Sequence, residues 1–159
     1  MSKYKTELRK KEYISSRILL NIFFPNSEIL YNLNGAPEIE NKNYISISHS
    51  KNLTAIILSK RKVGLDIERI SEKAKKMSSK FILKNSHTHL SKEKSTLIWC
   101  AKEAIYKWNQ EKNISFIYDI LIEPFKIRKT GVLVAHFKNE KITLHYKKLD
   151  AHFLVYVCK

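Results

Sequence analysis

The stretch Trp99-Cys-Ala-Lys-Glu-Ala-Ile-Tyr-Lys-Trp108 decides how the rest of the chain is read. Leu97, Ala101, Ala104 and Trp108 recur at helical spacing and form an apolar stripe. Glu103 and Lys107, four residues apart, share a neighbouring face, so one helix aims a carboxylate and an ammonium at the same region. Ser91 has the chemistry of an N-cap for this helix, which should run to about Asn109. An isolated Glu-Lys pair of this kind is most often a solvated ion pair. Its meaning depends on what else the chain supplies.

A second acidic element is Val63-Gly-Leu-Asp-Ile-Glu68. It reads as a strand with Val63, Leu65 and Ile67 toward a core and Gly64, Asp66 and Glu68 on the opposite face. Two carboxylates spaced this way lie roughly 6.5–7 Å apart along the strand. They repel unless a positive charge lies between them. Mg²⁺ suits that position, because it takes a few carboxylates and leaves sites for water and phosphate oxygens. The plainer alternative is an edge strand with a solvated acidic face. Just upstream, Tyr44-Ile-Ser-Ile-Ser-His-Ser50 alternates Ile45 and Ile47 against Ser46 and Ser48, with His49 at the strand end. Such a cluster supplies hydroxyl and imidazole donors suited to phosphate oxygens. By itself it is weak, because Ser-His adjacency does not make a catalytic triad.

Taken in order, Ser48-His49-Ser50, Gly64-Leu-Asp66-Ile-Glu68 and Trp99-Cys-Ala-Lys102-Glu103-Ala-Ile-Tyr-Lys107 resemble the motif series of the 4′-phosphopantetheinyl transferases. The likeness is to the larger, pseudo-dimeric type that activates peptide synthetases such as surfactin synthetase. The shorter, trimeric holo-acyl-carrier-protein synthases share only the second and third motifs. The resemblance runs from about Arg9 to the C-terminus, and the combination of motifs makes it specific. It implies an α+β fold of two similar helix-plus-antiparallel-strand halves around a pseudo-twofold, residues 1–70 and 71–159, with the active site between them. It implies transfer of the phosphopantetheine arm of coenzyme A to a serine of an acyl or peptidyl carrier protein, releasing adenosine 3′,5′-bisphosphate. Asp66, Glu68 and Glu103 would hold Mg²⁺, with Mn²⁺ as an alternative. Glu103 would take the serine proton, and Lys107, helped by Lys102, would neutralise the leaving phosphate. Ser48 and His49 would bind a phosphate of coenzyme A. Arg17 aligns with an arginine that contacts the 3′-phosphate in relatives. The acidic carrier protein would dock on the lysine-rich region between Lys73 and Lys94, with Phe81 and Leu83 as apolar contacts. The chain departs from the larger relatives in two places. They carry a few tens of residues before the first helix, so one edge strand of the first half and some nucleotide contacts are expected to be absent. Ala36 stands where they often place lysine, which removes one phosphate or adenine-side contact.

Composition agrees with this reading and limits others. The 159 residues are 43 % hydrophobic, with three glycines and three prolines, which fits one globular domain without a long linker. The longest apolar cluster, Ile18 to Phe24, is interrupted by Asn21 and is too short to span a membrane. The sequence Met-Ser-Lys-Tyr-Lys lacks the apolar region of a secretory signal. Cys100 and Cys158 offer neither a disulfide framework nor metal-ligand spacing. A cytoplasmic location is expected. The net charge is +15, and Ser71 to Lys107 holds nine lysines against three glutamates. Such an excess favours polyanionic partners, although a lysine-rich solvated surface would also account for it. Nucleic acid is not expected as the partner, because the chain lacks helix-turn-helix, zinc-finger and RNP-like patterns. A Mg²⁺-dependent nuclease often pairs an acid and a lysine two apart on one strand. Here Arg69 follows Glu68 directly, and the lysines lie on a distant helix. A catalytically impaired, carrier-binding relative is the alternative that the motifs themselves allow.

A coarse pass places the remaining elements. Glu7–Phe24 reads as a helix ended by Pro25, with Ile14, Ile18 and Ile22 at four-residue spacing and Leu19 and Phe23 beside them. Ile29–Asn32, Tyr44–Ser48, Leu53–Leu58, Val63–Glu68, Ile117–Ile122, Val132–Phe137, Ile142–Tyr146 and Phe153–Val157 read as strands. Asn34-Gly35-Ala36-Pro37 and Asn139-Glu140 read as turns, and Lys73–Leu90 as part helix and part loop. Helix followed by strands thus occurs twice, before Ile70 and after Ser91. With both halves on one chain, an active monomer of 18.7 kDa is expected.

Overall fold

A computed structural model describes residues 6–40 and 43–159. Helix α1, Glu7–Phe23, starts where the Thr6 side chain accepts a hydrogen bond from the Arg9 amide. It ends before Pro25, which cannot continue the backbone ladder. The helix does not pack through its isoleucines. Ile14, Ile18 and Ile22 are exposed, whereas Ser16 and Leu20 are buried. Leu20 closes a small core with Ile29, Ile39 and Ile45. The Ser15 hydroxyl meets that of Thr54 at 2.7 Å, which fixes α1 on the first sheet.

That sheet is antiparallel in the order β1-β2-β3-β4: Ile29–Tyr31, Pro37–Ile39, Tyr44–Ser50 and Leu53–Ser59. The turn into β2 is built as its residues suggest. Asn32 Oδ1 accepts from the amides of Asn34 and Ala36, and Gly35 takes the left-handed conformation at φ 81°. Pro37 belongs to β2 rather than to the turn, so this three-residue strand is an element the sequence pattern did not reveal.

The second sheet has the order β5-β9-β8-β7-β6: Val63–Arg69, His152–Cys158, Glu140–Leu149, Thr130–Phe137 and Ile120–Ile122. Because β5 pairs with β9, the two sheets divide between Ser59 and Val63. The hairpin between β7 and β8 turns at Lys138-Asn139, with Lys138 at φ 54°. Glu140 already pairs with Phe137 and so lies in the strand, which puts the turn one residue earlier than the expected Asn139-Glu140. Helix α2, Glu72–Lys76, and a 3-10 turn, Ser78–Lys80, lead toward α3, Lys92–Asn109. Ser91 caps α3 by accepting from the Lys94 amide. The chain is therefore α+β, and the order helix-then-four-antiparallel-strands, α1 with β1-β2-β3-β4, recurs as α3 with β6-β7-β8-β9. Among the described residues no helix is long and apolar enough to cross a membrane.

Two features bring the halves into register. The first is Gly64. A β-carbon there would lie 2.0 Å from the Ala104 carbonyl oxygen and 2.6 Å from the Trp108 amide nitrogen. Only glycine lets α3 cross β5 at this distance. The second is a serine ladder. The hydroxyls of Ser46, Ser48 and Ser50 on β3 accept from the amides of Leu65, Ile67 and Arg69 on β5, at 3.0, 3.2 and 3.1 Å. Alternate amides on the outer edge of β5 meet alternate serines of β3, because both strands have a period of two. Most of the remaining core lies between α3 and the second sheet, with Leu97, Ile105, Leu133, Ile142, Phe153 and Val155 buried. Phe81 is part of it, only 2 % exposed and set edge-on against Trp99 at 5.0 Å between ring centres. Its expected place on a docking surface is therefore corrected. Leu83, two residues on, is exposed.

Candidate active site

The crossing of α3 over β5 sets the second acidic element against the helix. Asp66 is 4 % exposed, and its Oδ1 accepts from both the Ser48 hydroxyl and the Lys107 ammonium, each at 2.7 Å. Its Oδ2 is buried and has no hydrogen-bond partner among the described residues. An unsatisfied buried carboxylate oxygen is costly and calls for an explanation. Glu68 Oε1 accepts from the Trp99 indole nitrogen at 3.2 Å. Burial raises the pKa of Glu68, and the charge of Asp66 adds to the effect. Glu103 is pushed further, to about 7, by burial first and then by Asp66, with Lys107 opposing. Three carboxylates thus crowd one ammonium, and two of them resist ionisation. The deficit is one of positive charge. Oxygen donors of this kind suit a hard divalent cation, and the orphaned Asp66 oxygen is a lone pair held ready for one. Among the described residues, no group of three acidic, histidine or cysteine side chains is disposed to hold a metal ion as the side chains stand.

Beside this cleft is a cavity of about 290 Å³, formed where the two halves meet. Tyr31, Pro37 and His49 wall it from the first half, and Tyr106, Lys107 and Lys112 from the second. Lys107 therefore faces both the acids and the cavity. His49 Nε2 lies 3.0 Å from the Glu12 carbonyl, and burial lowers the pKa of its ring. Arg17 is not in the cavity wall. Its guanidinium stacks on the Tyr13 ring at 3.3 Å and donates to the carbonyls of Tyr13 and Ile29.

Two candidates from the sequence are placed differently from what the motifs suggest. Lys102 does not join Lys107. It is 2 % exposed and donates to the carbonyls of Phe116 and Ile120, with burial lowering its pKa to about 8. Adjacent residues after a helical turn cannot share a face, so Lys102 and Glu103 point apart. Ser48 is committed to Asp66 and the Ile67 amide, which leaves it a structural role at the seam rather than a free donor for phosphate. Trp99 as a partner of Glu68 is a contact that the motifs do not announce. The signal was present: Trp99, Glu103 and Lys107 recur every four residues along one helix face.

The fold and cleft define an α+β protein of two helix-and-sheet halves, with acids and a lysine gathered where α3 crosses β5. A model of the family described as ACPS, 4'-phosphopantetheinyl transferase superfamily, matches residues 62–158, and the chain belongs to that superfamily. The match begins at the entry to β5 and includes both acidic motifs. The chain is also 34 % identical over 110 residues to the 4'-phosphopantetheinyl transferase gsp of Aneurinibacillus migulanus. The aligned part is 64 % of this chain and 45 % of that protein, so the chain spans about half the length of this relative.

Proposed function

We propose that the protein transfers the 4′-phosphopantetheine arm of coenzyme A to a serine hydroxyl of an apo acyl or peptidyl carrier protein, releasing adenosine 3′,5′-bisphosphate. The single observation that favours this most is the orphaned Oδ2 of Asp66, beside two further acids and a lysine that borders the cavity. Transfer is an in-line displacement at phosphorus between crowded anionic groups, so it needs alignment and charge neutralisation more than covalent chemistry. Asp66, Glu68 and Glu103 would hold Mg²⁺, or Mn²⁺ in its place, which supplies Lewis acidity and a template for the pyrophosphate. Lys107, anchored on Asp66 Oδ1, has two further N–H bonds to offer the leaving phosphate. Glu103, directly or through a water, is the candidate to take the proton of the incoming serine, since it is the carboxylate that shares a helix face with Lys107. His49 supplies an imidazole at the cavity wall for a phosphate of coenzyme A. The 3′-phosphate is assigned to Arg17, which would exchange its contacts with Tyr13 and Ile29 for that anion.

The carrier protein is acidic in this proposal and approaches the lysine-rich segment from Lys73 to Lys94, with exposed Leu83 as an apolar contact. The protein acts as a monomer in the cytoplasm, where both co-substrates are met. Chromatographic detection of adenosine 3′,5′-bisphosphate from coenzyme A tests the reaction. Release that requires apo carrier protein and a divalent cation is expected. No release from folded protein with a panel of apo carriers would reject the proposal.

A further inference from the structure

We infer that Trp99 is a positioning residue for Glu68: its indole N–H holds one carboxylate oxygen so that the other is left aimed at a hard cation. The inference rests on the transferase reading of the cleft and adds a residue to it. The contact is 3.2 Å, from Trp99 Nε1 to Glu68 Oε1, and Oε2 makes no hydrogen bond among the described residues. Asp66 shows the same division. Its Oδ1 is taken by Ser48 and Lys107, and its Oδ2 is unpartnered. On both acids of β5, protein donors occupy one oxygen and leave the second.

The donor is a fixed one. The Trp99 ring lies between Phe81, edge-on at 5.0 Å, and Phe116, tilted at 5.3 Å. Phe81 is in the core, and Phe116 is held in turn by the Tyr106 ring and by the Lys102 ammonium on its carbonyl. The indole cannot swing away without disturbing these neighbours. An indole N–H only donates, so it neither ligates a cation nor takes a proton. What it can do is remove rotamer freedom from a glutamate and set its free oxygen before a ligand arrives. This also gives Lys102 a purpose: it braces the aromatic wall from behind.

Trp99→Phe tests this, because phenylalanine keeps the stack between Phe81 and Phe116 but lacks the donor. The readout is Mn²⁺ affinity of the full chain in the presence of coenzyme A, measured by electron paramagnetic resonance of free Mn²⁺. The dissociation constant should rise roughly tenfold with the melting temperature little changed. Transfer at saturating Mg²⁺ should return toward the wild-type rate. Mn²⁺ affinity within twofold of wild type, or no Mn²⁺ binding by the wild type, would overturn the inference. Should the variant fail to fold, ¹⁵N spectra of the wild type decide. The chain has two indole N–H groups, and that of Trp108 has no hydrogen-bond partner among the described residues. Mg²⁺ should shift the Trp99 signal more than the Trp108 signal, and an unmoved Trp99 signal contradicts the inference. A wild type that binds Mn²⁺ but loads no carrier rejects the transferase reading alone. One that loads carrier while Trp99→Phe binds Mn²⁺ equally well rejects the inference alone.

Discussion

At the scale of single residues, the two lysines of the α3 motif separate cleanly. Lys102→Ala removes the donor to two backbone carbonyls and should cost about 2–4 kcal/mol in a denaturant titration, while coenzyme A affinity in calorimetry stays within twofold. Lys107→Ala leaves the buried Asp66 carboxylate without its ion pair, so it should cost about 3 kcal/mol as well, and it alone should lower transfer at least 100-fold, on the order expected for a charge aimed at a leaving phosphate. A comparable loss of transfer from Lys102→Ala would contradict the division of roles. Glu103 supplies a pH test. Burial holds its carboxyl at about 7 in the folded protein, above an ordinary value of 4.5. A raised folded pKa means that its contribution to stability is complete below 4.5 and is lost as pH rises through about 7. The melting temperature without divalent cation should therefore fall from pH 5 to pH 8 by less in Glu103→Gln than in wild type. Mg²⁺ should raise it more at the alkaline end, because metal and protons compete for the same oxygens. Spacing alone gave the faces on which Asp66, Glu68, Glu103 and Lys107 lie, and their reading as one set rests on the resemblance of the three motifs to the family. The burial of Lys102 was not, because helical spacing gives the face of a residue without saying which face meets the core.

At the scale of elements, the crossing of α3 over β5 is what assembles the cleft. Gly64→Ala would place a methyl group inside the backbone of α3, so it should cost about 3 kcal/mol or more and lower metal affinity along with it. Retained stability would mean that α3 sits further from β5. The serine ladder makes a subtler case. Ser46→Ala leaves the buried Leu65 amide without its acceptor and should cost about 1–3 kcal/mol, read by thermal denaturation, whereas Ser50→Ala, on the exposed Arg69 amide, should cost less. The alternation of serine and isoleucine in β3 correctly marked a strand. What it could not disclose was the neighbour, since a hydroxyl row suits a phosphate and a strand edge equally well. The isoleucines of α1 teach the same lesson in reverse. Their four-residue spacing marked a helix, yet its packed face is set by Leu20 and by the Ser15–Thr54 contact. β2 was hidden because three residues starting with proline carry too little pattern.

At the scale of the whole molecule, the two helix-and-sheet halves were visible as a repeated order of elements, and the motifs named the superfamily. β5 follows β4 directly in sequence but pairs with β9 in the second sheet, a long-range pairing that the order of elements does not disclose. The charge of +15 should make association with an acidic carrier strongly dependent on salt. The apparent KM for carrier protein is expected to rise several-fold between low and physiological ionic strength, while kcat holds. The central claim is tested most directly by the intact mass of an apo carrier protein after incubation with this protein, coenzyme A and Mg²⁺. A gain of about 340 Da, the size of the phosphopantetheine arm, is predicted with the wild type and should disappear with Asp66→Ala and Glu103→Ala. No gain on any apo carrier by the folded wild type, or an undiminished gain with both variants, would contradict it.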